Sequence, residues 1–360
     1  MINFYSYLRS KLRVTVKNLY YRLTVPFFRR FNKPMIENPA GFSLESSSVC
    51  NFNCVFCAYQ HTTKKMRQIM SLKDFKLSVN EIIKNGGKNI ALTPLTGDIF
   101  SDRTGIKNKI NFLEKHQDLT SYTFTTNASL LDEEKIDFLK KTKKLNNLKI
   151  SIYGHDQDSF EKITQTKLYK KMFNNLLHIK KNIDDLNFRM EFGIRSYMDF
   201  NLSKSNTDLI NLIRSIQKMK NVFVNFHRHY TNWGGYVTEE DLKGLPIILK
   251  DDKKGYKSGP CARLFNYMIL SNCDVILCAC RDAMREMVVG NLKENSLSEI
   301  ISPKNPKYQK WIDDQENDKF LGPCKDCDMY RPVYALPHYE LGKRKIRDYV
   351  NYDRFFKDKV

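Results

Sequence analysis

Hydrophobic and polar positions along the chain follow two periods. Short apolar runs of strand character occur at 42–49, 89–94, 121–126, 148–153, 188–194 and 222–226. Between them lie stretches of helical spacing at 72–84, 104–116, 132–141, 168–182 and 209–219. In the first of these, Leu72, Phe75, Val79, Ile82 and Ile83 recur at three and four positions, so one face can be buried. Strands alternating with helices predict a parallel sheet with right-handed crossovers. Roughly 200 residues leave no room for eight strand–helix units, so an open six-unit barrel is expected.

The pattern breaks after about residue 230, where Asn232-Trp233-Gly234-Gly235 and the segment 255–260 read as loops. Trp233-Gly234-Gly235 reads either as a turn facing substrate or as a packed loop. The expected organisation is a basic extension over 1–39, the barrel over 40–254, a second domain over 255–330 and a basic tail over 331–360. Six of the nine cysteines fall in the second domain, which sets its chemistry apart from that of the barrel.

The chain has 60 Lys and Arg against 40 Asp and Glu, a net charge of +20. Eight cations and no acid lie in 1–33, and seven cations against three acids in 341–360, so the excess is concentrated at the two ends. Phe4, Tyr5, Tyr7, Leu8, Leu12, Val16, Leu19 and Tyr20 interleave with the N-terminal cations. That suits a helix lying on a membrane surface, or one packed on the protein with its cations in water. No apolar run approaches a membrane span, and Arg9, Lys11, Arg13 and Lys17 break up any signal-peptide core. The expected location is cytoplasmic, with a peripheral membrane contact through the N-terminus. Nine cysteines in such a chain point to metal or redox chemistry rather than disulfides.

Cys50, Cys54 and Cys57 form C-x3-C-x2-C directly after the first strand. Three thiolates on one short loop can converge on a soft metal centre. A zinc site would need a fourth ligand, for which His61 is the nearby candidate. Cys50-Asn51-Phe52-Asn53-Cys54-Val55-Phe56-Cys57 resembles the signature of the radical S-adenosylmethionine (radical SAM) superfamily. The resemblance covers about 40–330. It implies a partial (β/α)6 TIM-like barrel whose three cysteines hold a [4Fe–4S] cluster. The open iron would bind S-adenosylmethionine (SAM), and one-electron reduction would yield a 5′-deoxyadenosyl radical that abstracts hydrogen from substrate. An electron donor such as flavodoxin or ferredoxin is implied.

The same resemblance assigns roles at the strand ends, where such barrels place their sites. Thr96-Gly97-Asp98 resembles the family's Gly-Gly-Glu-Pro segment, so Gly97 and Asp98 are expected at the SAM amino group. Thr125-Thr126-Asn127-Ala128 resembles Thr-Asn-Gly, with Ala128 in place of glycine. Ser151-Ile152-Tyr153-Gly154 resembles Ser-x-Asp-Gly, whose serine faces the SAM ribose; here Tyr153 replaces the aspartate. Ile194 is expected on adenine and Arg195 at the SAM carboxylate or a substrate anion. His227 and His229, on one side of an extended strand, are candidates to orient substrate or move a proton.

Cys261, Cys278, Cys324 and Cys327 can fully ligate a second cluster. Their spacing resembles the auxiliary-cluster domains called twitch and SPASM, with Cys273 standing where the family has glycine. No cysteine follows Cys327, so the twitch form with one auxiliary [4Fe–4S] cluster matches better. A zinc ribbon is the alternative. Cys273 and Cys280 are expected as buried thiols, although Cys280 competes with Cys278 as a ligand. This implies an α/β fold with a smaller α+β auxiliary-cluster domain. The expected activity is oxidation, dehydration or epimerisation of a small hydroxylated, carbohydrate-like molecule by a radical SAM oxidoreductase or lyase. The alternatives are a peptide or protein maturase and, from another class, a basic metal-binding nucleic-acid-binding protein. No recognisable RNA-binding fold accompanies the charge, so nucleic acid is not the expected partner.

Overall fold

The computed structural model describes residues 4–31, 42–93, 95–196, 200–201, 203–227, 229–245, 248–249, 255–279 and 281–334; within these, the side chains of 4–14, 17, 229 and 248 are left undescribed. A long N-terminal helix α1 (Phe4–Arg30) precedes strand β1 (Phe42–Leu44). Then follow α2 (Leu72–Lys84), β2 (Asn89–Leu92), α3 (Ile106–Lys115), β3 (Ser121–Thr126), α4 (Glu133–Leu139) and β4 (Leu145–Tyr153). Next come α5 (Gln157–Thr164), α6 (Tyr169–Asn182), β5 (Arg189–Arg195), α7 (Asp208–Ile216) and β6 (Val222–His227). Strands β1 to β6 pair in sequence order, each parallel to the next. This is the open, parallel α/β sheet that the alternation of periods predicts.

The expected helix over 72–84 forms with those bounds. Ser71 caps it by accepting from the Asp74 N–H at 3.0 Å, and Phe75, Val79 and Ile82 are wholly buried. Helix α5, absent from the sequence reading, is set by a capping box between Asp156 and Ser159. Strand β4 starts three residues before the expected run, because Leu145 and Asn147 already pair with β3 across an irregularity at Asn146.

The second domain does not fold as a separate layer. Strands β7 (His229–Tyr230) and β8 (Ile248–Leu249) form a small sheet of their own. Strands β9 (Met268–Ile269), β10 (Asp274–Ile276) and β11 (Val288–Asn291) then extend the barrel sheet beyond β1. Strand β9 lies parallel to β1, and β10 and β11 are antiparallel. Helices α8 (Leu297–Ile300) and α9 (Pro306–Glu316) pack against this extension. The domain also runs past 330. The Ala262 N–H donates to the Arg331 carbonyl at 2.8 Å, and Val333 and Tyr334 are buried. The expected tail over 331–360 therefore begins inside the packed domain, and its remainder lies outside the described residues.

Helix α1 docks on the second domain rather than standing apart as an extension. Tyr21 and Val25 are buried in the core. The Arg29 guanidinium donates to Ser258 Oγ at 2.7 Å and to both Asp318 carboxylate oxygens at 3.0 Å.

Candidate active site and cysteine centres

The chain leaves β1 as an irregular segment and turns through Cys50, Cys54 and Cys57. The loop is held from outside. The Asn53 and Val55 N–H groups donate at 3.1 Å to Thr164 and Ile163, the last carbonyls of α5, which have no partner within the helix. The Tyr59 hydroxyl bridges the Cys50 N–H and carbonyl at 3.2 Å, and Arg67 covers the Tyr59 ring at 4.1 Å. The Phe52 and Tyr59 N–H groups point at Cys50 Sγ and Cys57 Sγ, at 3.4 and 3.5 Å.

All three cysteines line one cleft of about 540 Å3, counted out to open solvent. Gly97, Asp98, Thr126, Asn127 and Ser151 line it with them, so residues spread over a hundred positions converge as the strand-end motifs implied. Phe52, Phe56, Tyr59 and Tyr153 also line it; Phe52 and Phe56 stand inside the cysteine motif and Tyr153 inside the fourth strand-end motif, whereas Tyr59 belongs to no motif. Tyr153, where the family has aspartate, packs its ring on Phe56 at 5.1 Å and on Phe52 at 6.3 Å.

Asp98 is almost wholly buried, and its carboxylate serves the protein itself. It accepts from Phe100 N at 3.0 Å, from Thr126 Oγ1 at 2.9 Å and from Asn127 N at 2.7 Å. Three donors occupy most of the four lone-pair sites of a carboxylate. Asp98 therefore holds Thr126 and Asn127 in place, with little capacity left for a bound ammonium. Asn127 in turn donates to Asn51 Oδ1 at 3.0 Å inside the cysteine loop. Gly97 has φ +140°, and a Cβ there would sit 2.8 Å from the Ser47 carbonyl oxygen and 2.8 Å from the Ser48 carbonyl carbon. Only glycine lets these two segments approach so closely.

The fifth strand corrects one expectation. Ile194 is wholly buried in the core and absent from the cleft lining, whereas Arg195 Nη1 donates to Ser151 Oγ at 3.0 Å. Successive strand residues point to opposite faces, so Ile194 and Arg195 cannot both serve the site. The register pairs Ile194 with Ile152 on the helix-covered face and Arg195 with Tyr153 on the other. His227 pairs with Arg195 across β5 and β6, on the face that carries Arg195. His229 does not continue that alternation. It opens β7 in the separate two-stranded sheet, and its side chain lies outside the described residues, as does Arg228.

Cys261, Cys278, Cys324 and Cys327 also come together. Burial pushes the Cys324 thiol up, and the charges of Cys261, Cys278 and Cys327 push it further. Gln315 on α9 ties the group: its Oε1 accepts from Cys261 N at 2.8 Å and its Nε2 donates to Cys324 Sγ at 3.2 Å. Trp233-Gly234-Gly235 proves to be a packed loop: a Cβ on Gly234 would sit 2.9 Å from the Pro323 carbonyl oxygen, beside Cys324. Cys273 is fully buried elsewhere, against Ser78 of α2, with φ +72°, the left-handed region that explains why the related pattern has glycine there. Cys280 lies outside the described residues.

The donor sets suit clusters. Burial pushes Cys50 up to about 12, with Asp98 adding to it, and Cys57 up to about 11. Arg195 beside the cleft favours the thiolates of Cys54 and Cys57, but burial outweighs it, so three thiolates there call for a further cationic centre to bind.

One further residue escaped the sequence reading. Glu45, nearly inaccessible, follows β1 and bridges three segments. It accepts from Leu95 N at 3.3 Å, from Ser271 Oγ at 3.1 Å and from Arg285 Nη2 at 3.4 Å. A lone acid inside the apolar run 42–49 is the signal that could have found it.

Residues 44–196 match the radical SAM superfamily, and 261–328 match SPASM, an iron–sulfur cluster-binding domain. No curated protein sequence matches. Among solved structures, BtrN in complex with AdoMet and 2-DOIA aligns at 14% identity and TM-score 0.51, covering 80% of this chain and 92% of that one. Streptococcus suis SuiB bound to precursor peptide SuiA aligns at 15% identity and TM-score 0.52, covering 92% and 78%. Native anSMEcpe with bound AdoMet aligns at 14% identity and TM-score 0.50, covering 80% and 88%. These likenesses are likenesses of fold, a partial TIM-like barrel. The two domain matches make this chain a member of the radical SAM superfamily: an enzyme with a C-terminal SPASM domain, using a [4Fe–4S] cluster, SAM and auxiliary iron–sulfur.

Proposed function

We propose that this enzyme modifies a peptide or protein, rather than the small hydroxylated molecule favoured by the sequence. The observation that carries this reading is the outer strand β6. Among the described residues it pairs with β5 alone, leaving a backbone edge open for strand addition. A peptide laid along that edge would run to the level of Arg195, whose partner Ser151 lines the cleft. Phe223, Asn225 and His227 stand exposed along it, every second residue, as side-chain pockets for an extended chain would require. The fold likeness to SuiB, solved with its precursor peptide, supports the same reading.

In this reading Cys50, Cys54 and Cys57 hold the SAM-binding cluster, and Cys261, Cys278, Cys324 and Cys327 hold one auxiliary cluster. Bound there, the cluster and SAM would supply one-electron chemistry able to take hydrogen from substrate. The protein's own groups bind and orient. Asp98 fixes Thr126 and Asn127 at the cleft wall, and Ser151, accepting from Arg195, keeps its own proton to donate toward a ribose. Arg195 is the cation that favours the thiolates of Cys54 and Cys57, and it is placed to meet a carboxylate. Phe52, Phe56 and Tyr153 exclude water from the cleft floor, which a reactive radical requires.

A small-molecule substrate is the second reading. It is favoured by the single set of four cysteines and by the likeness to BtrN, solved with 2-DOIA. One experiment separates them. Extract from cells grown in deuterated medium is split by size and incubated with reconstituted enzyme, SAM and reductant. Deuterium should reach 5′-deoxyadenosine from the large fraction, and protease pretreatment should abolish the transfer. Transfer from the small, protease-resistant fraction would reject the peptide reading.

A further inference from the structure

Helix α1 is apolar on two sides. One side, with Tyr21 and Val25 buried and Phe28 half-buried, packs on the body of the protein. The other carries Val16, Leu19, Leu23 and Phe27, continued by Phe31 just beyond the helix, and each of the five is more than half exposed. Their spacing of three and four positions aligns them in one stripe about 22 Å long at 1.5 Å per residue. Five of the nine exposed large hydrophobic side chains among the described residues lie on this helix or directly after it. A helix that only covers its own domain has no use for such a stripe, since its outer face normally carries polar groups.

The charge of the helix selects the occupant. Its 27 residues hold seven Lys and Arg and no acid. Arg29 is engaged by Asp318, whereas Arg22 and Arg30 are exposed beside the stripe. A second copy docking through the same face would set like charges against each other, and the chain's own segment 341–360 has the same sign. An anionic bilayer offers apolar depth for the stripe and negative headgroups for the cations. No helix of the described residues is long and apolar enough to cross a membrane, so the contact would be in the plane of the surface.

We propose that the outer face of α1 docks this enzyme on an anionic lipid bilayer, with Leu19, Leu23 and Phe27 entering the headgroup boundary. The docking is anchored from within. The Tyr256 N–H donates to Asn18 Oδ1 at 3.2 Å and Arg29 binds Ser258, so the helix is held to the domain that carries the second cysteine group. The proposal is independent of which substrate the cleft takes.

The test is flotation of the full-length, anaerobically purified protein with vesicles of phosphatidylcholine alone or with a third phosphatidylglycerol. Binding to the anionic vesicles should exceed binding to the neutral ones at least tenfold and fall as salt is raised. Leu19→Glu/Leu23→Glu/Phe27→Glu should lose at least tenfold in binding, with unchanged melting and unchanged SAM cleavage in solution. As a reporter that leaves the stripe apolar, Leu23→Trp should shift its emission to the blue on anionic vesicles. Three results would overturn the proposal: no flotation of the wild type, flotation that survives the triple substitution, or a dimer that the triple substitution dissociates while vesicles are ignored. If the triple variant does not fold, an unshifted Leu23→Trp emission overturns it alone.

Discussion

Removing the Glu45 carboxylate tests whether the barrel and the second domain are locked together at one point. Glu45→Ala deletes the acceptor of the Leu95 N–H, the Ser271 hydroxyl and Arg285. Among the described residues, the arginine side chain keeps the Met66 carbonyl, at 2.6 Å, and the nearby charge of Asp282. Breaking a buried ion pair on one side costs about 3–5 kcal/mol, and that figure already contains the orphaned charge. At about 2.1 cal/mol/K of unfolding entropy per residue, a cooperative unit of 360 residues loses about 1 °C per 0.8 kcal/mol. Glu45→Ala should therefore melt about 4–6 °C below the wild type in anaerobic calorimetry of the cluster-loaded protein. Glu45→Gln keeps an acceptor and the volume, and should lose less than half of that. Glu45→Met/Arg285→Met should be more stable than Glu45→Ala, because no buried charge is left unpaired. Leu95 lies two residues before Gly97, so the KM for SAM should rise in Glu45→Ala more than in Glu45→Gln. A Glu45→Ala protein that melts within 1 °C of the wild type would refute the reasoning.

Other expectations follow from single contacts. Gly97→Ala places a Cβ 2.8 Å from the backbone at Ser47 and Ser48 in a left-handed conformation, and should cost about 2–4 kcal/mol and slow SAM cleavage. Ile194→Ala should cost about 2–5 kcal/mol in urea unfolding with little change in the KM for SAM, whereas Arg195→Met should raise that KM with little loss of stability; a KM effect from Ile194 alone would reverse the face assignment. Burial pushes the Asp282 carboxyl up to about 6 from an ordinary 3.8, so the folded state holds its proton longer than the unfolded chain. Its contribution is full below about pH 4 and lost through pH 6, by about 3 kcal/mol. The stability of the wild type minus that of Asp282→Asn should fall by that amount as pH rises from 4 to 7, and a rise would contradict the shift. Iron should number about eight per chain, falling to about four both in Cys50→Ala/Cys54→Ala/Cys57→Ala and in Cys324→Ala/Cys327→Ala. Only the first variant should lose SAM cleavage outright.

The open six-unit order, helix α2 and the three-cysteine loop are legible in the residues because each rests on a local signal: a period of two or 3.6, a cap, or a fixed spacing of thiols. The convergence of Gly97, Asp98, Thr126, Asn127 and Ser151 on one cleft follows from that order, since parallel strands deliver all their C-terminal ends to one side. The phase of each strand does not follow. A parallel sheet is buried widely enough that Ile194 and Arg195 read as equally good inward residues, and only register against Ile152 and Tyr153 separates them. The sequence likewise could not place β9, β10 and β11 on the edge of the barrel sheet, because those strands have two to four residues and no period to show. Glu45 and Gln315 were hidden for a related reason. Each acts by bonding groups more than fifty positions away in at least one direction, and a contact of that length is decided by packing, where a buried polar atom must find its partner wherever the fold brings one.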